Sequence, residues 1–255
     1  MSVDQSQPYE PDRSVVGKVR RRLARLYNRR PARSGGWSQP CLSITFDDAP
    51  TTACTVGAEI LQAHGGKATY YISAGLLGCD GLMGPYAQWS DVERLHRHGH
   101  EIGCHTYDHT DLGKADGAVA LAAVANNKAA FDAHGLPAPL TFAYPYGDVA
   151  FGPKALLASR FTLLRALHYG LIERGADLNQ APSVGLEGLR GEATARLWLL
   201  KAAERKAWLI LNAHDIQDQP SPWGCTPQAL TRIVQEALAM GFDILTVAEG
   251  AQRVA

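Results

Sequence analysis

Short apolar segments alternate with stretches of helical periodicity along most of the chain. The apolar segments are Leu42–Phe46, Ala68–Ile72, Glu101–Cys104, Leu140–Tyr144, Phe161–Ala166, Trp208–Ala213 and Asp243–Thr246, and the helical stretches lie near 54–63, 90–98, 116–134, 192–206 and 226–240. Alternating strands and helices indicate a parallel sheet covered by helices. We therefore predict an α/β fold, with a single distorted (β/α) barrel of about seven strands.

Acidic side chains and histidines follow several of these strands directly. The first strand ends in Asp47-Asp48-Ala49-Pro50, and the third is followed by His105-Thr-Tyr-Asp-His109. Two adjacent carboxylates at the end of a buried strand are costly unless a cation lies beside them. Tyr146 and His214 follow two later strands. Because the carboxyl ends of barrel strands meet on one face, we expect these groups to share a site.

The pair of histidines four residues apart indicates a metal ion. Two imidazoles and a carboxylate form a common ligand set for a catalytic divalent ion. One helical turn or a tight loop could direct His105 and His109 at the same ion. Either histidine alone would be interpreted as a hydrogen-bonded loop residue, but the spacing and the nearby carboxylates favour ligands. We expect one divalent ion, zinc, with cobalt, nickel and manganese as alternatives.

Charge divides the chain into two regions. Residues 1–33 hold nine of the 25 Lys/Arg and three of the 25 Asp/Glu, so residues 34–255 carry a net charge of −6. We predict a basic N-terminal segment, 1–33, and a catalytic domain, 34–255. An acidic body argues against nucleic acid as a partner.

Within the basic segment, residues 14–28 are predicted to form an amphipathic helix. Its cationic and apolar positions recur at helical spacing on separate faces: Lys18, Arg21, Arg22, Arg25 and Arg29 on one, and Val15, Val19, Leu23 and Leu26 on the other. Such a helix suits the anionic inner face of a membrane. The alternatives are a helix against the bottom of the barrel and a homodimer contact.

Two further features bear on the cellular location. The start of the sequence, Met1–Pro8, lacks the apolar core of a secretory signal, and no segment reaches the length of a membrane span. The five cysteines are scattered and include no Cys-x-x-Cys pair, which is typical of reduced structural thiols. We expect a cytoplasmic protein that lies peripherally on the inner face of the cytoplasmic membrane.

Four motifs occur in an order that resembles the NodB-homology polysaccharide deacetylases, carbohydrate esterase family four. They are Thr-Phe-Asp-Asp-Ala-Pro at 45–50, His-Thr-Tyr-Asp-His at 105–109, Tyr-Pro-Tyr-Gly at 144–147 and Leu-Asn-Ala-His at 211–214. The resemblance covers roughly residues 40–250. It implies metal-dependent hydrolytic N-deacetylation of N-acetylglucosamine-type residues in a surface polysaccharide or its lipid-linked intermediate. Within the family, the chain resembles the small, unexported deacetylases of surface-polysaccharide assembly, and we expect a holdfast-polysaccharide deacetylase.

The resemblance also implies a role for each site residue. Asp48, His105 and His109 would bind the metal. Asp47 would be the general base, the backbone N–H of Tyr146 would stabilise the oxyanion, and His214 would protonate the leaving amine. Adjacent carboxylates can divide these tasks because the ion neutralises one and leaves the other free to accept a proton.

The chain departs from the family pattern at the residue that orients the base. The third motif usually begins with an arginine two residues before its proline, and this position is Ala143. Arg165, near the end of the strand Phe161–Ala166, is the candidate replacement. A solvated surface arginine is the alternative interpretation.

The family's Asp-Trp motif, whose aspartate supports the acidic histidine, has no clear counterpart. Asp177 and Asp215 are both candidates for that support. Trp223, in a proline-containing loop soon after His214, is expected to stack on a sugar ring or to pack on the barrel rim.

Two alternative functions stay open. An N-deformylase acting on a lipid-linked amino sugar would use the same ion and base with a smaller acyl pocket. A catalytically inactive scaffold that binds glycan or lipid is favoured by Ala143 and the missing Asp-Trp motif. The intact set of acidic residues and histidines argues against the scaffold.

Overall fold

The computed structural model describes residues 14–33 and 38–254. The strands are β1 (Cys41–Asp47), β2 (Thr69–Ile72), β3 (Asp80–Gly81), β4 (Gly84–Pro85), β5 (Glu101–Cys104), β6 (Thr141–Ala143), β7 (Leu163–Arg165), β8 (Val184–Gly185), β9 (Trp208–Ala213) and β10 (Asp243–Ile244). The α-helices are α1 (Val15–Leu26), α2 (Ala58–Ala63), α3 (Trp89–Arg97), α4 (Gly117–Ala133), α5 (Phe151–Leu157), α6 (Gly191–Arg205), α7 (Pro227–Ala239) and α8 (Val247–Val254). A π-helical turn, Ala53–Gly57, leads into α2.

The main sheet is parallel and curls into a barrel. Its strand order is β7-β6-β5-β2-β1-β9-β8, and β10 pairs with the beginning of β1. The gap between the two end strands is bridged by an irregular segment, 178–185. Its first part exchanges backbone hydrogen bonds with β7, and its last residues pair with β9. This curled sheet confirms the predicted distorted barrel.

Alternating residues of β1 point to opposite sides of the sheet. Leu42, Ile44 and Phe46 pack in the large apolar cluster formed with the surrounding helices. Because side chains alternate along a strand, Ser43 and Asp47 point into the barrel instead. Ser43 accepts a hydrogen bond there from the indole N–H of Trp208 at 2.9 Å. The alternation therefore places the first aspartate of the pair inside the barrel mouth.

The structure contains short elements that the sequence did not predict. β8 has two residues, too few for a visible alternation. Helix α5 begins with Phe151-Gly152-Pro153, a composition more typical of a turn, although proline is tolerated in a first helical turn. The predicted strand at Asp243–Thr246 is shortened to two residues, and helix α8 follows it.

Helix α1 is attached to the barrel through a small part of its surface. Ala24 packs in an apolar cluster with Leu157 of α5. The fully buried ammonium group of Lys154 donates to the carbonyl of Ala24 at 2.6 Å and to Asp177 at 2.7 Å. Among the described residues, no helix is both long and apolar enough to cross a membrane.

Candidate active site

Three residues that follow two neighbouring strands form a buried cluster suited to a metal ion. Asp48 follows β1, and His105 and His109 follow β5. One ligand atom from each lies within 4.8 Å of the other two. The Asp48 Oδ1 atom is 3.6 Å from His105 Nε2 and 3.4 Å from His109 Nε2.

The protonation states of this cluster fit a bound cation. His105 Nδ1 lies 2.7 Å from the carbonyl of Ala143, which can only accept, so the proton is on Nδ1 and the lone pair of Nε2 points toward Asp48. Burial lowers the pKa of both His105 and His109 to about 4, so both rings are neutral near pH 7. Asp48 Oδ1 is buried without a hydrogen-bond partner. Electron pairs converging in this way fit a cation between them.

Local backbone conformation directs these groups toward one point. Asp48, Thr106, His109 and Tyr146 have φ values between 56° and 63°, in the left-handed region that is unfavourable for residues other than glycine. Such conformations cost about 1–3 kcal/mol each and persist where the surrounding structure requires them. Their concentration in the loops after β1, β5 and β6 indicates that the site geometry was obtained at the expense of stability.

Asp47 lies beside this cluster and is held by Arg165. Arg165 Nη2 is 2.5 Å from Asp47 Oδ2, and both side chains are buried. The other carboxylate oxygen, Oδ1, is buried without a hydrogen-bond partner. One oxygen is therefore fixed while the second remains able to accept a proton.

Register explains how an arginine on β7 replaces one expected on β6. Ala143 is the cross-strand partner of Arg165 in the parallel β6–β7 pair. Partners in a parallel pair point to the same side of the sheet, so a guanidinium from either position enters the barrel mouth. The Arg165 guanidinium lies over the Tyr71 ring, 5.2 Å from its centroid. A side chain at Gly103 would collide with that ring, so the glycine leaves room for Tyr71 beside the guanidinium.

The charge of Asp47 is stabilised despite its burial. Burial by itself raises the pKa of this carboxyl, but the Arg165 guanidinium, with smaller contributions from His105 and His214, outweighs it and lowers the pKa below its usual value. Asp47 is therefore ionised near neutral pH, as a general base must be.

Tyr146 reaches the site through the loop after β6. Its ring lies edge-on to that of His109, with the ring centroids 4.4 Å apart. The residue follows Pro145 in a 3-10 turn, and its φ of 59° turns the backbone sharply. The placement brings the loop proposed to stabilise the oxyanion next to a candidate metal ligand.

His214, after β9, is supported by a glutamate rather than by an aspartate. Its Nδ1 lies 3.2 Å from the carbonyl of Trp223 and 3.6 Å from Glu187 Oε2. Burial lowers the pKa of His214, but Glu187, Asp47 and Asp48 outweigh that effect and raise it to about 9. His214 therefore carries a proton at neutral pH.

The two aspartates considered for this support serve other parts of the structure. Asp177 binds Lys154 and the backbone N–H of Arg30. Asp215 accepts from the backbone N–H of Ser221 and stabilises the loop after β9. Glu187 was missed because it lies in an irregular connection between β8 and α6, where no periodicity indicates which way a side chain points.

Trp223 is partly buried and packs against a small apolar cluster. The other members, Leu76, Met83 and Tyr86, come from the connection after β2 and the β3–β4 hairpin. Its backbone N–H donates to the Ser221 hydroxyl oxygen at 3.2 Å, and its carbonyl contacts His214. This placement corresponds to packing on the barrel rim, which is one of the two expectations for Trp223.

Comparison with known sequences identifies the family. The sequence model of the polysaccharide deacetylase family matches residues 35–160, which include both aspartates, both histidines of the cluster and Tyr146. Residues 35–160 belong to the polysaccharide deacetylase family. This confirms the resemblance to NodB-homology deacetylases. Arg165, Glu187 and His214 lie beyond the matched residues.

Curated relatives of this chain match over shorter segments. It is 34% identical over 110 residues to the peptidoglycan-N-acetylglucosamine deacetylase PgdA of Listeria monocytogenes, covering 42% of the chain and 22% of that protein. It is also 34% identical over 76 residues to a chitin deacetylase of Pestalotiopsis, covering 30% of the chain and 24% of the relative. The matched segments thus span less than a quarter of either relative.

Solved structures share the fold over most of the chain. The chitin deacetylase of Colletotrichum lindemuthianum has a TM-score of 0.57 and 21% identity, covering 83% of this chain and 88% of that one. A family 4 acetyl xylan esterase of Clostridium thermocellum, solved with a cobalt ion, has a TM-score of 0.56 and 19% identity, covering 82% and 89%. At these identities the likeness concerns the fold.

Proposed function

We propose that this protein is a metal-dependent hydrolase that removes N-acetyl groups from N-acetylglucosamine-type residues of a glycan. The observation that carries the proposal is the position of an ionised Asp47, fixed by Arg165, beside the Asp48, His105 and His109 cluster. The names of the curated relatives, deacetylases of peptidoglycan and chitin, support N-acetylglucosamine as the substrate class.

The ligands for the ion would be Asp48, His105 and His109. A divalent ion bound there would act as a Lewis acid on the acyl carbonyl and lower the pKa of the attacking water. We propose zinc from the set of two imidazoles and one carboxylate, with cobalt, nickel and manganese as alternatives. The cobalt ion reported with the Clostridium thermocellum esterase supports occupancy by a divalent metal.

Asp47 and His214 would move the protons of the reaction. Asp47 would accept the proton of the attacking water at Oδ1, the oxygen that Arg165 leaves free. The backbone N–H of Tyr146 would donate to the negative oxygen that develops on the acyl carbon. His214, protonated and held by Trp223 and Glu187, would donate its proton to the departing nitrogen. Acetate and a free amine would be the products.

We further propose that the substrate is a lipid-linked intermediate of a surface polysaccharide, such as holdfast, and that the enzyme works in the cytoplasm at the membrane surface. All five cysteines are unpaired, which supports a reducing compartment. The basic helix α1 supports a location at the inner leaflet, whose lipids are anionic.

The isosteric variant Asp47→Asn tests the catalytic proposal. It keeps the size of the side chain but cannot accept the proton, so acetate release from N-acetylglucosamine oligomers should fall by about 10²- to 10⁴-fold. Asp218→Asn, at an exposed aspartate in the loop after β9, is the matched control and should keep wild-type turnover. Metal content is measured for each protein, so that loss of the ion is distinguished from loss of the base.

The same assay separates the alternatives. Formate release from N-formylated substrate that exceeds acetate release would favour the deformylase. A metal-loaded wild type no faster than Asp47→Asn on either substrate would favour the inactive scaffold and refute the proposal.

A further inference from the structure

Helix α1 turns its apolar side away from the protein. Its buried residues are Gly17 and Ala24. Its larger apolar residues are between 39% and 77% exposed: Val15, Val16, Val19, Leu23 and Leu26. At 100° per residue they occupy an arc of about 100°, centred about 140° from Gly17 and Ala24. A helix that belongs only to a folded domain normally has the opposite orientation, with its apolar side inward.

Cations border this exposed apolar face. Lys18, Arg22 and Arg25 project along one flank of the helix and Arg20 along the other, whereas Arg21 faces the protein. The segment Val15–Leu26 contains no acidic residue. An exposed apolar stripe flanked by Lys and Arg is typical of helices that lie in the interface of an anionic bilayer. The charge pattern therefore favours lipid over a second copy of this chain, which would bring like charges together.

Two aromatic side chains extend the apolar face onto the barrel. Tyr27, directly after α1, lies edge-on to Phe151 at the start of α5, with the ring centroids 5.6 Å apart. The two residues are 54% and 44% exposed. The Tyr27 ring, with its polar hydroxyl end, suits the boundary between headgroups and acyl chains, and the Phe151 ring adds apolar surface beside it.

The surface also adjoins the active site. Arg21 of α1 lies 3.5 Å from Asp148, measured between the nitrogen and oxygen of the ion pair. Asp148 is two residues after Tyr146, whose ring contacts His109. The loop after β6 thus connects the exposed helix with the mouth of the barrel.

We infer that α1, together with Tyr27 and Phe151, is a docking surface for an anionic phospholipid bilayer and holds the mouth of the barrel at the membrane. That the mouth receives a glycan there rests on the proposed function, whereas docking itself does not. Each Lys or Arg near such a surface strengthens partitioning by about fivefold, so the flanking cations and the apolar stripe together suffice for stable binding.

Vesicle flotation with the full-length protein tests the inference. The vesicles contain phosphatidylcholine alone or phosphatidylcholine mixed with phosphatidylglycerol. The test variant is Val19→Glu/Leu26→Glu. The matched control is Leu197→Glu/Leu200→Glu on α6, where the two leucines are 51% and 53% exposed against 50% for Val19 and 62% for Leu26. Both variants therefore lose two exposed apolar groups and gain two negative charges.

The wild type and the α6 control should float with the anionic vesicles and not with the neutral ones. Partitioning of the α1 variant onto the anionic vesicles should fall by at least about tenfold. Each cation strengthens partitioning by about fivefold, and the two added negative charges act in the opposite direction. Its acetate release from a water-soluble oligosaccharide and its unfolding midpoint should match those of the control.

Equal flotation of the α1 variant and the control, or no flotation of the wild type, would overturn the inference. So would a wild-type dimer in sedimentation that the α1 variant converts to monomer without any change in flotation. Flotation does not depend on turnover. Absence of deacetylase activity would therefore refute the proposed function without affecting the flotation result, which tests membrane docking alone.

Discussion

Removing the guanidinium of Arg165 should slow catalysis without removing the metal. The side chain of Arg165 is fully buried and that of Asp47 is 4% exposed, so no water can replace the lost partner. Arg165→Met keeps most of the volume and leaves Asp47 oriented only by its own backbone. Loss of a residue that orients a catalytic group typically costs about 10- to 100-fold in activity, so turnover should fall by that amount.

The pH profile provides a second measurement that a purely structural role would not change. Arg165 is the main group that lowers the pKa of Asp47 against the effect of burial. Without it, burial raises this pKa. Because the base is active only above its pKa, the acid limb of kcat/KM should move to higher pH in Arg165→Met. Arg165→Lys keeps a positive charge and should restore part of this shift.

The same substitution should also destabilise the fold. Breaking one partner of a buried ion pair costs about 3–5 kcal/mol, because the remaining charge is left uncompensated. The double variant Arg165→Met/Asp47→Asn should recover much of that loss in chemical denaturation. Arg232→Ala, which removes an exposed partner of Glu192, is the control and should leave activity and the unfolding midpoint unchanged. Metal-loaded Arg165→Met with wild-type turnover and an unshifted acid limb would refute the role of Arg165.

Three further predictions concern the groups around Asp47 and the buried Lys154, which binds α1 through the carbonyl of Ala24. Glu187→Gln removes one of the three carboxylates that together raise the pKa of His214 to about 9. Because the protonated acid exists below that pKa, the basic limb of kcat/KM should move to lower pH with no loss of metal. An unmoved limb would exclude Glu187 as the partner of His214. His105→Ala should lose the bound metal by elemental analysis and no longer gain thermal stability on addition of zinc, whereas His96→Ala, at an exposed histidine, should behave like the wild type. Lys154→Ala leaves Asp177 without its buried partner and should lower the free energy of unfolding by about 3–5 kcal/mol, measured with denaturant. Lys128→Ala, whose pair with Asp132 is half exposed, should have little effect, and an equal loss in both variants would contradict this assignment.

Much of the barrel could be predicted because its long strands are buried on both faces. β1 and β9 are continuous apolar runs that end in chemically distinctive residues, so the strand and the site near Asp47 and His214 were visible together. The position of Arg165 could be predicted for a related reason. Side chains alternate along β7, and this alternation restricts which of them can enter the barrel.

The features that were missed depend on tertiary contacts. The two-residue strand β8 is defined by its pairing with β9 and not by its own sequence pattern. Glu187, three residues after the start of β8, reaches His214 through the irregular connection to α6. Local propensity carries no signal for either, because their conformations are imposed by neighbours that are distant in sequence.

The pairing of Ala143 with Arg165 has a consequence for how such chains are compared. A position-by-position alignment would mark Ala143 as a lost catalytic support and classify the protein as impaired, although the guanidinium reaches Asp47 from one strand away. Two sequences can therefore differ at both positions and still place the same charge at the same carboxylate. A reciprocal exchange, Ala143→Arg with Arg165→Ala, would show whether the barrel wall accepts this cation from either strand.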